Sequence, residues 1–455
     1  MRAAVIACQL KLNWDLGSIV SLVDSFGQVA SQTGQARWGE VPFEALASLG
    51  GSQAKWETLL ALLAGNGALD QFLSTARRAV NSWLSDAPLA MTGLIDALID
   101  GYSEVPEARR VLRVWLEAGT IHAPSSHSTS RKRVCAHLVD NPPGGYPSDH
   151  EISEWLNDLA MCGVDLTPEA VDVLRRNAAE RPHRLDDVFM SIRTGYVLAE
   201  SQPDLLIELC ESYYIVHAGW SMEALRAPHR GLGTERFSAF HTPVGRLFQV
   251  RPRDALALAS RLLDAACERG SIPVRLEDEP GSDPERIQVE IPGRGTLGLL
   301  GGSDAWMWYR GGVASPVSAV NVLLAVERFA DQLLTAGMSV DQVSKFLLSE
   351  TNSLPLVGLC VGLCLRHLEI DAPSDAFVCW ARQREVWELE IARLSSEVIG
   401  FGFLSTNEVA NGTCQVWGAG VCHGVVWMVG LLIQASAGGG GAVGGLFRNR
   451  FGLAW

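Results

Sequence analysis

Cysteine and histidine at helical spacing come first, because thiolate and imidazole bind zinc and imidazole also moves protons near neutral pH. Cys360, Cys364 and His367 stand at i, i+4 and i+7 and share one helix face. A structural zinc site needs four ligands, and no partner pair accompanies these three. The surrounding run of Leu, Val and Gly favours buried apolar thiols, so the three stay weak metal candidates. Cys422 and His423 are adjacent, and neighbours on a helix do not face each other. His183 with Asp186 and Asp187 has the composition of a general-base cluster, but it falls at a helix start, where aspartates complement the helix dipole. His127 beside Ser125 and Ser126 joins a base to hydroxyls without a nearby acid to orient it.

Nucleotide chemistry has little support. A P-loop needs a lysine directly after a glycine, and none of the lysines Lys11, Lys55, Lys132 and Lys345 follows one. Gly293–Arg294–Gly295–Thr296–Leu297–Gly298 matches GxGxxG, but Pro292 separates it from the preceding strand and no helix opens after it. The dinucleotide fingerprint requires both, so hairpin turns explain these glycines better. There is no GxSxG elbow and no HExxH. No catalytic residue and no cofactor is assigned. An enzyme would need a site assembled from distant residues, such as those around His127 and His183.

Two strings fit contacts with a partner. Arg131–Lys132–Arg133, close to several serines, is the densest basic patch and suits a phosphate or an acidic surface, although a solvated helix start accounts for it as well. In Trp306–Met307–Trp308–Tyr309–Arg310–Gly311, period-two alternation predicts a strand with Trp306, Trp308 and Arg310 on one face. Aromatic residues and arginine are the usual interface anchors.

Composition bounds these readings. The chain has 455 residues, of which 47% are hydrophobic and 19% charged, which excludes intrinsic disorder and leaves ample core. A net charge of −14 argues against a general nucleic-acid binder, so the default partner is a protein. The predominance of arginine over lysine reads as the coding bias of a GC-rich bacterial gene. The ten cysteines are scattered, and Met1–Asn13 lacks a secretory layout, so free thiols in the cytoplasm are expected. Residues 409–447 carry no charge, and 416–435 is long enough to cross a bilayer, with Arg448 and Arg450 after it. Membrane association through 416–435 is therefore the alternative to a cytoplasmic protein. His423, Gln434 and the glycines favour a core helix with a Gly-rich end instead, and the composition of the end also fits out-of-frame translation.

The elements that position these residues are mostly helices of ordinary length. Pro88 and Pro106 fit first-turn positions, and Thr167–Pro168 and Ser315–Pro316 read as a cap followed by N1 proline. Ser148 with Glu151 and Ser339 with Gln342 form capping boxes. Gly337 closes one helix, and Ser353 opens a very apolar one. Helical structure is expected to close the regular part over 376–398. Alternating apolar residues at 272–277 and 286–291, and short runs at 296–300 and 304–309, predict a small antiparallel sheet. The fold class is mainly α: an irregular α-helical repeat or solenoid-like array with a small antiparallel β insertion. The regions are 1–140, 148–270, the β insertion 271–310, the helical 311–405 and the apolar Gly-rich tail 406–455. The Pro/Gly stretch 141–147 is the clearest linker.

One series resembles a known family. Phe248–Val250 leads into Arg251–Pro252–Arg253–Asp254–Ala255–Leu256, and the Trp306–Gly311 string follows. Pro316, Ala325–Val326–Glu327–Arg328, the turn Ser349–Ser353, then Trp387–Glu388–Leu389–Glu390 and Arg393 complete it. This order is similar to the helical region downstream of the ATPase in large bacterial NTPases of signalling and antiphage defence, over roughly 240–398. The resemblance implies a non-catalytic sensor or scaffold role. The family's catalytic motifs have no matching positions here, which implies a fragment with nucleotide hydrolysis carried elsewhere.

Overall fold

The computed structural model describes residues 51–80 (except 66, 68, 71, 75, 78 and 79), 88–122, 127–216, 238–270, 285–310, 316–367 and 374–389 (except 387). These residues are mainly helical, with one two-stranded antiparallel sheet. Contacts divide the chain into two compact units, Met1–Tyr213 and Tyr214–Trp455.

The first unit contains α1 (Gln53–Gly65), α2 (Pro88–Tyr102), α3 (Pro106–His122), α4 (Ser128–Asp140), α5 (Asp149–Ala160), α6 (Pro168–Glu180), α7 (Asp186–Met190), α8 (Ile192–Ser201) and α9 (Pro203–Glu211). Short 3-10 turns, Gly163–Asp165 and Pro182–Leu185, precede α6 and α7. Several helices begin on proline, whose missing N–H costs nothing in the first turn. Ser148 caps α5 with a complete capping box: its hydroxyl accepts from Glu151 N at 3.2 Å, and the Glu151 carboxylate accepts from Ser148 N at 2.8 Å. Thr167 and Ser191 cap α6 and α8 by accepting from Ala170 N and Thr194 N. Helices close in sequence pack together: α1 on α2, α2 on α4, α4 on α5 and α6, α5 on α7 and α8, α6 on α9. Leu94, Leu98, Trp115, Leu156, Leu174, Leu198 and Leu209 are wholly buried between them.

The second unit contains α10 (Val244–Val250), α11 (Pro252–Gly270), β1 (Arg286–Ile291), β2 (Gly295–Leu300), α12 (Ser303–Met307), α13 (Val317–Thr335), α14 (Val340–Leu347), α15 (Leu354–Arg366) and α16 (Asp375–Ala381). Every residue of α15 from Leu354 to Leu365 is buried. It is apolar all round because α12, α13, α14 and α16 pack against it. Each of its leucines and valines contributes about 1.5–3 kcal/mol by leaving water. Gly337, at φ +95°, ends α13 in a Schellman arrangement, with Met338 N donating to Leu333 O and Gly337 N to Leu334 O. The Ser339–Gln342 capping box opens α14 as expected.

The strands pair from Arg286↔Leu300 to Ile291↔Gly295. Arg294 N donates to Ile291 O, and Gly293 holds φ +80° after Pro292, which makes a type II turn. The GxGxxG glycines are thus hairpin glycines. A lone hairpin is marginal in water, and three contacts pin this one. The Arg294 guanidinium donates to Leu348 O and Thr351 O at 2.7 Å each, at the end of α14. Leu300 N donates to Asn352 O. The Gln383 side-chain amide both accepts from Glu290 N and donates to Glu290 O, closing that edge of β1.

Three expectations need correction. The stretch 304–309 is not a strand: α12 and a 3-10 turn, Trp308–Arg310, hold it. The helical turn sets Trp306 and Tyr309 against Gly358 and Gly362 of α15, where a Cβ would come within 2.8 Å of Trp306 O and 2.9 Å of the Tyr309 ring. Over the expected helical stretch, α16 ends at Ala381, the backbone is non-helical at Gln383, whose side chain serves β1, and residues 384–386 and 388–389 are helical again. Pro316, not Ser315, is the N-cap of α13. The Pro/Gly stretch 141–147 joins α4 to α5 within the first unit, where Trp155 Nε1 donates to Leu138 O at 2.8 Å. The expected strand at 272–277 lies outside the described residues, as does the segment 416–435. Among the described residues no helix is long and apolar enough to cross a membrane.

Candidate functional site

A buried polar cluster of the first unit lies along one face of α4. His127, Arg131 and Cys135 follow one another at intervals of four, with His127 at the N-cap, and all three are buried. Arg131 Nε pairs with Asp165 Oδ2 at 2.7 Å, and both side chains are out of water. The Ser128 hydroxyl donates to the other Asp165 oxygen. A buried pair of this kind holds only when its remaining lone pairs are also satisfied, and Ser128 supplies that.

His127 sits edge-on to Trp115 of α3, with ring centroids 5.8 Å apart. Both its ring nitrogens and Trp115 Nε1 are buried without a hydrogen-bond partner. Burial, reinforced by the Arg131 charge, pulls the His127 pKa down. The ring therefore stays neutral where an exposed histidine would begin to protonate.

Cys135 faces the start of α6. Cys162, which leads into the Gly163–Asp165 turn, and Thr167, the N-cap residue of α6, are its electrostatic neighbours. The Cys162 thiol donates to Asp158 O at 3.6 Å. The neighbouring Cys162, set against burial and aided by Thr167, lowers the Cys135 pKa to about 7, while Cys135 and burial together raise Cys162 well above the usual thiol range. Beside them Arg113 forks onto Asp158 at 2.8 and 3.0 Å and reaches Glu154 at 2.9 Å. Burial pushes Asp158 up to about 6, with Arg113 pulling the other way.

The residues singled out from sequence separate in the structure. The basic triplet is not a continuous patch. Arg131 is in the core, Arg133 is taken up by Asp96 at 2.7 Å and Asp100 at 2.9 Å on α2, and Lys132 alone of the three is exposed. Trp306 and Trp308 are buried in the second unit and do not form an exposed face; the Arg310 side chain lies outside the described residues. Cys360 and Cys364 are core thiols whose pKa values burial raises, Cys364 to about 11. His367 caps the exposed end of α15, and no metal-binding group of His, Cys, Asp or Glu is found among the described residues. His183 does not join Asp186 and Asp187. Its Nε2 meets Asp149 at 3.3 Å, while Asp186 accepts from the Tyr213 hydroxyl and Asp187 N is capped by Ser153.

Sequence reading found His127 and Arg131 but missed Cys135, Cys162 and Asp165. The available signal was the spacing of four that puts His127, Arg131 and Cys135 on one helix face. Cys162 and Asp165 come from a turn, which has no such period. No protein-family model matches the chain, and no curated protein is significantly similar to it.

Proposed function

We propose that the chain is a non-catalytic protein-interaction or sensor module of a bacterial cytoplasmic protein, and a piece of a larger signalling or defence NTPase. The resemblance over 240–398 carries the NTPase part of this reading, and mainly helical architecture suits it. The seven described cysteines are free thiols, which fits a reducing compartment. The histidines and arginines with the composition of catalytic groups serve as caps, ion pairs and core packing. The observation that carries the interaction role is Tyr146. It stands fully exposed in the turn between α4 and α5, held between Gly145 at φ +74° and Pro147. An exposed tyrosine is a good contact residue because it presents a large amphipathic ring with only two side-chain torsions to order when it docks. Lys132, the exposed residue of the basic triplet, offers a charge for an acidic partner.

The test is capture from host lysate on the immobilised full chain. Tyr146→Ala combined with Lys132→Ala should weaken capture of a defined partner about tenfold or more, with thermal unfolding unchanged. Equal capture by both proteins rejects this surface. The intact mass of the endogenous protein tests the fragment: a species much heavier than this chain supports it, and one of this chain's own mass rejects it.

A further inference from the structure

Phe240 and Arg328 stand together on the surface of the second unit. Phe240 is 45% exposed, and the Arg328 guanidinium carbon lies 4.4 Å from the centre of its ring. The loop that carries Phe240 is tightly held. Ser238 N donates to Asn321 Oδ1 at 2.9 Å, and Asn321 Nδ2 donates to His241 O at 3.4 Å, so the buried Asn321 of α13 spans the loop. Within it Phe240 N donates to Ser238 Oγ at 3.2 Å and His241 N to Ser238 O at 3.1 Å. Gly245 lets the loop close on α10, because a Cβ there would stand 3.0 Å from Ala239 O. Phe248 stacks on Phe329, the residue after Arg328, with ring centroids 4.7 Å apart, and so fixes α10 on α13. The acids nearest Arg328 in sequence are already taken, since Glu327 and Asp331 meet Arg366 at 3.0 and 3.2 Å. Among the described residues no carboxylate pairs with Arg328. The ring holds the cation without neutralising it, so its donors keep their capacity for a carboxylate. The surroundings are basic as well. α10 and α11 pack on α13, and residues 238–270, which form them, carry five arginines against Asp254, Asp264 and Glu268. That surplus of two positive charges lies in a chain of net charge −14.

We propose that Phe240 and Arg328 form a docking point for an acidic segment of a partner protein, in which Arg328 takes a carboxylate and the Phe240 ring packs on an apolar side chain beside it. A local excess of positive charge on a chain that repels acids elsewhere selects where such a segment settles. The clamped loop presents the ring in place, so little ordering is required on this side of the contact. An aromatic ring and an arginine are also the residue types that most often anchor interfaces. A protein segment is favoured over nucleic acid because the net negative charge of the chain opposes a long phosphate backbone. The surface belongs to the second unit and is independent of Tyr146 and Lys132 in the first.

The experiment pans a display library of short random peptides on the immobilised full chain, then measures the strongest selected peptide, fluorescently labelled, by anisotropy. The selected sequences should be enriched in Asp and Glu beside an apolar residue. Arg328→Gln and Phe240→Ala should each weaken the labelled peptide about tenfold. Thermal unfolding should stay unchanged, since both side chains lie at the surface. Binding should also fall as salt rises from about 0.05 to about 0.5 M. Tyr146→Ala combined with Lys132→Ala should leave this peptide bound as before, which separates failure of this surface from failure of the other. A selection that enriches no acidic peptide, or an acidic peptide held equally by Arg328→Gln and the unchanged chain, overturns the proposal. A labelled single-stranded DNA that binds as tightly as the peptide and is lost in the same variants would assign the site to phosphates, and overturns the acidic protein segment as its occupant.

Discussion

Arg131 and Asp165 exchange water for each other, and the balance is unforgiving when one is removed. Truncating one partner of a buried pair costs about 3–5 kcal/mol, because the other charge is left uncompensated. Arg131→Met should therefore destabilise the first unit by that amount in urea unfolding, whereas Arg131→Met with Asp165→Leu should recover most of it. A double variant as unstable as the single would show that Arg131 acts through packing and not through its charge. His127 makes a second residue-level prediction. Its pKa in the folded chain is pulled below the unfolded value by burial and by Arg131. Between the folded value and about 6.5 the unfolded chain binds more protons. The stability His127 contributes is thus fully present above pH 6.5 or so and is lost as pH falls toward the folded value, with a slope of at most about 1.4 kcal/mol per pH unit. His137, also lowered by burial, adds in the same sense, while Asp158, raised to about 6, opposes it. His127→Phe keeps an aromatic ring beside Trp115 and should flatten the acid-side loss between pH 7 and 5. An unchanged slope would assign that loss to His137 or another group.

Where a helix lies against its neighbour at the distance of a missing side chain, local propensity and packing pull in opposite directions. Gly358 and Gly362 lower the helix propensity of α15 by roughly 1 kcal/mol each relative to alanine. Their spacing of four makes a shallow track into which Trp306 and Tyr309 settle. Gly358→Ala would push a methyl group to within 2.8 Å of Trp306 O, a backbone atom that has little room to move. Overpacking of this kind costs about 1–3 kcal/mol, so the substitution should lower the thermal midpoint despite the propensity gain. A raised midpoint would show that the α12 segment can move aside. Elements of this kind were partly legible in the sequence. The two capping boxes, the first-turn prolines, the hairpin at 286–300 and the start of α15 follow from local rules about donors, φ angles and period. The aromatic string did not, because alternation over six residues is shared by a strand and by a short helical turn when large residues fall at both i, i+2 and i, i+3. Only the track on α15, about fifty residues away in sequence, decides between them.

At the scale of the molecule, the mainly helical architecture was written in repeated 3.6-residue periodicity, but the division into units was not. Pro142, Pro143, Gly144 and Gly145 end a helix as surely inside a unit as between units, and Trp155 ties the helices on either side together. The boundary at Tyr213–Tyr214 has no proline or glycine to announce it. Turn chemistry reports backbone angles, whereas a boundary is a scarcity of contacts between distant residues, which a single chain does not display. The same logic explains why α15 had to look featureless: a helix surrounded by α12, α13, α14 and α16 needs no polar face. Its amides can exchange only when those neighbours separate, an opening close to unfolding of the whole unit. Within the second unit α15 should therefore be the slowest segment in hydrogen exchange followed by mass spectrometry. The seven-residue α16, with Asp375 and Arg382 exposed at its two ends, should exchange orders of magnitude sooner. Exchange of α15 on the same schedule as α16 would mean that the unit opens along its buried helix, and the core would then have to be placed elsewhere, between α10, α11 and α13.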